Sequence, residues 1–196
     1  METALITAPA VEPVLLAGIK PHIRLTDTDT DSNSYIDSLL TVARQVVEQM
    51  CNRALITQTW EVYLDEWPGG DFIELPKGSL QSVTSIKYTD SDDDESIFSS
   101  DDYSVDTGSM LGRVVLMSGE SWPTVTLATN NPIVIQFVCG YGAAGSDVPG
   151  PINQAIKFMV ADYFENRETV VVGTITSKLD MVNQLLSPYR LYGYHL

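Results

Sequence analysis

Arg53-Ala54-Leu55-Ile56-Thr57-Gln58-Thr59-Trp60 is the stretch on which the reading of this chain turns. On its N-terminal side Ile36, Leu39, Leu40, Ala43, Val46, Val47 and Met50 recur at steps of three and four, one stripe of an α-helix. On its C-terminal side the period drops to two. Ile56, Trp60, Val62 and Leu64 share one face, Thr57, Thr59, Glu61 and Asp65 take the other, and Gln58 is the single polar residue on the inward side. A helix gives way to a sheet at this point, and the rest of the chain completes one or the other.

Working outward, residues 1–13 hold Pro9 and Pro13 among small residues and read as an extended arm. Residues 14–25 suit a short helix interrupted near Pro21. The run Asp27-Thr28-Asp29-Thr30-Asp31-Ser32 precedes the long helix over 33–51, whose N-terminus Asp31 or Ser32 can cap. Strands are expected over 56–64, 71–75, 82–88, 103–106, 113–116 and 133–138, punctuated by Pro68-Gly69-Gly70, Lys77-Gly78 and Thr107-Gly108. Short strands at this spacing point to a small antiparallel sandwich or barrel. Gly140-Tyr141-Gly142-Ala143-Ala144-Gly145 then leads to a helix opened by Pro151, with Ile152, Ala155, Ile156, Met159, Val160 and Tyr163 as its apolar stripe. Residues 170–176 form a β-branched linker. Ser177 can cap a last short helix carrying Leu179, Val182, Leu185 and Leu186, which Pro188 stops. The fold class is α+β.

Composition narrows the function. The 196 residues suit one domain, with or without an insertion, and at this length roughly 70% of the unfolded surface can be buried without disulfide or metal staples. Eleven Lys and Arg stand against 26 Asp and Glu, for a net charge of −15, and no two basic residues adjoin. Nucleic-acid wrapping and anionic-membrane binding both need clustered cations, so both are disfavoured. No apolar run is long enough to span a bilayer, and no basic-then-apolar leader opens the chain. Cys51 and Cys139 lack metal-site spacing and read as buried packing residues, with a disulfide between them as the alternative.

Three motifs imitate chemistry. Asp27, Asp29 and Asp31 match the first, third and fifth positions of a calcium loop, but Ser32 and Ser38 stand where glycine and glutamate are required; a loop beginning at Asp90 fails in the same way at Glu95. Gly140-x-Gly142-x-x-Gly145 has the letters of a dinucleotide fingerprint, yet the helix waits until Pro151 and no acid-bearing second strand follows. His22 and His195 lie near opposite ends, and no nucleophile elbow is present. The expectation is therefore a protein that is not an enzyme, with no cofactor and no metal. Two features remain. The segment from Asp90 to Asp106 carries eight acids and no Lys or Arg, which demands solvation. The last eight residues hold three of the nine tyrosines and Arg190, and no acid follows Asp180; Tyr and Arg at a chain end point to docking, on this domain or on another subunit.

The ordered series of short motifs adds a resemblance. After Arg53-to-Trp60 come Glu74-Leu75-Pro76, Leu80-to-Tyr88, Asp102-Tyr103-x-Val105-Asp106, Gly112-Arg113-Val114, Val138-x-Gly140-Tyr141-Gly142, Pro149-x-Pro151-Ile152-x-Gln154-Ala155-Ile156 and Tyr163-Phe164-Glu165-Asn166-Arg167. This series resembles the head-tail connector, or adaptor, proteins of tailed bacteriophages, prophages and gene transfer agents, over nearly the whole chain. Cys139, where the family more often has a small residue, and the long acidic loop at 90–102 depart from it. The resemblance implies a discontinuous helical bundle (14–55 and 148–187), an inserted β domain (56–147), the N-terminal arm (1–13) and a docking tail (188–196). It also implies a structural part of the virion neck, assembled in the bacterial host cytoplasm as a homo-oligomeric ring, commonly of twelve copies. Such a ring lies beneath the portal protein, meets a stopper or tail-completion protein on its far side and lets duplex DNA pass without tight binding. On that reading Pro188, Tyr189, Arg190, Leu191, Tyr192 and Tyr194 dock into the portal. Asp90, Asp92, Asp93, Asp94, Glu95, Asp101 and Asp102 face either the channel or the outer rim. The alternatives are a soluble binding module built on the β region and another virion component, such as a tail-completion or baseplate protein.

Overall fold

In the computed structural model, residues 1–166 and 176–192 are described. The chain forms two compact units, one from 10–56 with 141–190, the other from 1–9, 57–140 and the segment beginning at Leu191.

The first unit is helical. Its long helix α2 (Asn33–Cys51) buries Ile36, Leu40, Ala43, Val47 and Cys51 along one stripe, as the spacing requires. Asn52, at φ 52°, closes it by donating its N–H to the Gln49 carbonyl, a left-handed stop that asparagine tolerates. The expected side-chain cap at its other end is absent. Ser32 sits at ψ 2° rather than in extended backbone, and the helix opens through a backbone turn from Asn33 N–H to the Thr30 carbonyl. Upstream, the expected helix over 14–25 is two short pieces: α1 (Leu16–Ile19), then a 3-10 turn (Lys20–Ile23) with Pro21 at its start. Helix α3 (Gly150–Glu165) has Pro151 in its first turn and buries Ile152, Ala155, Ile156 and Val160. Helix α4 (Thr176–Leu186) contributes Val182 and Leu186 to the same core, in which Ile19, Ile36, Leu55 and Ile56 are also sealed from solvent. Residues 167–175, which include Arg167 and most of the linker expected over 170–176, and the side chains of Ser177 and Leu179 lie outside the described residues, and Thr176 already belongs to α4.

The second unit is β. A five-stranded antiparallel sheet runs in the order β1-β2-β8-β4-β5, and a three-stranded one in the order β3-β7-β6. Strands β2 (Gln58–Leu64), β3 (Phe72–Glu74), β4 (Leu80–Thr89), β6 (Tyr103–Asp106), β7 (Arg113–Leu116) and β8 (Ile133–Cys139) fall where alternation placed them. In β8 every second residue (Ile133, Ile135, Phe137, Cys139) is buried, opposite Leu64, Val62, Trp60 and Gln58 of β2. The buried Gln58 is accommodated because its side-chain oxygen accepts from the Trp60 indole N–H at 3.0 Å. Two strands were not foreseen. Residues expected as an extended arm contain β1 (Glu2–Thr7), hydrogen-bonded along β2. Within the supposed acidic loop lies β5 (Glu95–Ile97), paired with Lys87–Thr89. β5 is three residues long beside an acidic run and β1 lies among small residues ahead of two prolines, so neither signals itself locally; the partner strand supplies the bonds. The sheets do not close into a barrel, since β1 and β5 end the larger one.

Candidate functional site: the aromatic chain end and the acidic hairpin

The junction at Arg53 is the anchor of the helical unit, and the chain end is mounted on it. Arg53 Nε donates to the Tyr189 carbonyl at 2.7 Å, and its guanidinium lies 6.0 Å from the Tyr141 ring centre. Tyr141 N–H donates to the Leu55 carbonyl, and Leu55 N–H donates to Glu48 Oε1, both at 3.0 Å. Glu48 Oε2 in turn accepts from Arg44 Nη1 at 2.7 Å, and Arg44 Nε donates to Glu12 Oε2 at 2.8 Å. One connected network thus holds Glu12, the end of α2, the segment entering α3 and the segment leaving α4. Ser187–Tyr189 is a 3-10 turn, Tyr189 packs partly buried on the helical core, and Arg190 Nη2 donates to Asn183 Oδ1 at 2.7 Å. Of the six residues expected to dock, Tyr189 and Arg190 are thereby engaged within the chain, Pro188 is exposed and Leu191 is buried. Tyr192, at 76% exposure, projects into solvent, and Tyr194 lies outside the described residues.

The acidic segment is a built hairpin. Asp90 Oδ1 accepts from the N–H groups of Asp92 (2.9 Å) and Asp94 (3.1 Å), a turn that places Asp93 at φ 65°. Asp92, Asp93, Asp94, Glu95 and Asp101 are exposed, and Asp90 and Asp102 are half-buried. Glu95 pairs with Lys87 at 2.8 Å, which raises the Lys87 pKa. Nearby, Asp106 accepts from Ser109 Oγ and from Arg113 Nη2, each at 2.6 Å. The Ser109 hydroxyl first, then the Arg113 guanidinium, hold its carboxyl far below the ordinary carboxylate range.

The imitation motifs resolve into structure. Asp29 accepts the N–H and hydroxyl of Thr26, which hold its pKa down and make the acidic run a turn. In the glycine series, a Cβ on Gly142 would strike the Asp147 carboxylate and one on Gly145 the Pro13 carbonyl. These two glycines allow close approach of chain segments, and the helix begins only at Gly150. Cys51 and Cys139 are buried and not joined in a disulfide, and burial pushes the Cys51 pKa up to about 11. His22 packs against Phe158, with ring centres 5.6 Å apart. Among the described residues no group of three or more His, Cys, Asp or Glu is placed to hold a metal ion, and no helix is long and apolar enough to cross a membrane. Most of the described cations are used internally. Besides Arg44, Arg53, Lys87, Arg113 and Arg190, Lys77 sits 4.5 Å over the Trp60 ring and Lys20 donates to the Asp27 carbonyl. Sequence reasoning missed the Arg44 network; the available signal was an arginine at 44, four residues after Leu40 and three before Val47 on the buried stripe.

No protein-family model matches the chain, and no curated protein matches it. Solved structures do. A chain in the neck of an empty GTA particle computed with C6 symmetry superposes with a TM-score of 0.83 at 23% identity, covering 100% of this chain and 98% of that one. A chain of the virion of a native gene transfer agent particle gives 0.80 at 23%, and one from the neck of a native GTA particle computed with C12 symmetry gives 0.78 at 21%, with the same coverage. From end to end, then, this chain has the fold of a chain from gene-transfer-agent particles, in agreement with the head-tail connector resemblance carried by its motifs.

Proposed function

We propose that this protein is a structural head-tail connector of a virion-like particle. It forms a homo-oligomeric ring in the neck, beneath the portal, that continues the DNA channel and joins capsid to tail. The observation that carries this reading is the end-to-end likeness to chains of gene-transfer-agent necks, with neither chain leaving a substantial segment unmatched. The role is mechanical and involves no covalent chemistry. Charge supports the DNA side of it: at −15, with Arg44, Lys87 and Arg113 paired to acids and no two basic residues adjoining, the surface offers phosphate little to hold, so duplex DNA slides past. The acids of the hairpin at 90–102 either line that passage or face the rim. The tail from Pro188 docks on the portal. Tyr189 and Arg190 serve as its mount, and the exposed Tyr192 meets the partner. Mixing the purified protein with purified portal and imaging the product tests the assignment. Ring density added to one face of the portal is the expected result. Portal particles unchanged at saturating protein would refute it.

A further inference from the structure

The helical unit carries two unlike surfaces that the architecture leaves unexplained. One is an open groove of about 300 Å³ between α1 and α2, lined by Val14, Leu15, Leu16, Ala17 and Leu40, with Glu12 and Asp37 on its rim. Leu15 is 63% exposed there, an apolar side chain left in water. Glu12 is already bonded to Thr41 and Arg44, whereas Asp37 is exposed on the same flank of α2. The other surface is the 3-10 turn with the adjoining face of α3. Pro21, His22 and Arg24 are exposed, His22 packs against Phe158 with the rings tilted, and Lys157 precedes that phenylalanine. Among the described residues, Arg24 and Lys157 are cations with neither an ion-pair nor a hydrogen-bond partner. The groove lies between α1 and α2, whereas the turn, which follows α1, lies against α3.

A chain of net charge −15 repels its own copies over most of its surface, so self-association needs a contact that sets cation against acid. We propose that the groove of one copy receives the basic turn of the next. Pro21 and the His22–Phe158 pair fill the space beside Leu15 and Leu16, and Lys157 and Arg24 face Asp37. Because the surfaces differ, the contact is head-to-tail, the type that closes a ring. This inference rests on the connector reading and names the neighbour contact that reading requires.

The test is charge reversal scored by imaging rings on purified portal, using Asp37→Lys and Lys157→Glu. Both positions lie on the helical surface, and unchanged far-UV circular dichroism and unfolding midpoint verify that each variant is folded; Arg24→Glu replaces Lys157→Glu if that variant fails this check. Each variant alone sets like charges together at every contact, so ring occupancy is expected to fall about tenfold or more. Mixing the two in equal amounts lets copies alternate with matched charges at every contact, and occupancy should return to within about twofold of the unmodified chain. Normal rings from the single variants, or no rescue on mixing, overturn this contact while the connector reading stands. Absence of rings from the unmodified chain overturns both.

Discussion

The two units use charge in opposite ways. In the helical unit Arg44, only 7% exposed, is drawn between Glu12 and Glu48 and knits four chain segments together. In the β unit Asp92, Asp93 and Asp94 stand in water at the end of a hairpin whose shape needs only the Asp90 side chain and backbone bonds. Both units use carboxylates; the presence of a donor within reach decides whether a carboxylate builds structure or dresses a surface. Replacing charges one unit at a time separates these roles.

Breaking the inward network should have the largest effect. Arg44→Met leaves the partly buried Glu12 and Glu48 without their shared cation, a loss approaching the roughly 3–5 kcal/mol that breaking a fully buried pair costs. A fall of that size in urea-derived unfolding free energy is expected. Adding Glu12→Gln to that variant should recover part of it, because the orphaned charge is then gone. Near-additive losses in the double variant would show that the network is a set of independent contacts. Next comes the apolar core around it: Ile156→Ala, at a position sealed from solvent, is expected to cost about 2–5 kcal/mol on the same measurement.

How much of this was legible beforehand depends on the range of each cause. Helix α2 was bounded to the residue because its stripe and its stop at Asn52 are local, and β8 was found because alternation needs only its own residues. The strands β1 and β5 were missed because their bonds come from Trp60 and Tyr88 on other strands, beyond any window. Ser32 has the composition of a cap, but a backbone turn from Thr30 set its ψ and disarmed it. The chain end shows the same limit. Its aromatic composition announces docking, whereas the Arg53 bond to Tyr189, 136 residues away in sequence, was invisible. The acidic hairpin was legible as solvated and illegible as ordered.

Between the two extremes lies Asp106, a surface carboxylate with donors on several sides. Its folded pKa is depressed, so the stability it adds is fully present above the ordinary carboxylate pKa near 4. That stability declines as pH falls below this value and is lost only below the folded pKa. Asp106→Asn should therefore flatten the acid limb of the stability–pH curve while changing its neutral plateau less than Arg44→Met does. An unchanged acid limb would show that the Ser109 and Arg113 bonds do not persist in solution.

The smallest stability effect belongs to the hairpin tip. Asp92, Asp93 and Asp94 make no side-chain contact on which the fold depends, and like charges at adjacent positions repel, so the triple change to Asn should move the unfolding free energy by no more than about 0.5 kcal/mol. If these acids serve to keep phosphate at a distance, the same variant should bind duplex DNA measurably at low salt, where screening is weakest, and release it as salt rises. A triple variant that is markedly destabilised places the tip with Arg44 as structure. One that is stable yet remains indifferent to DNA assigns repulsion to the net charge of the whole chain, since three charges out of fifteen are then too few to matter.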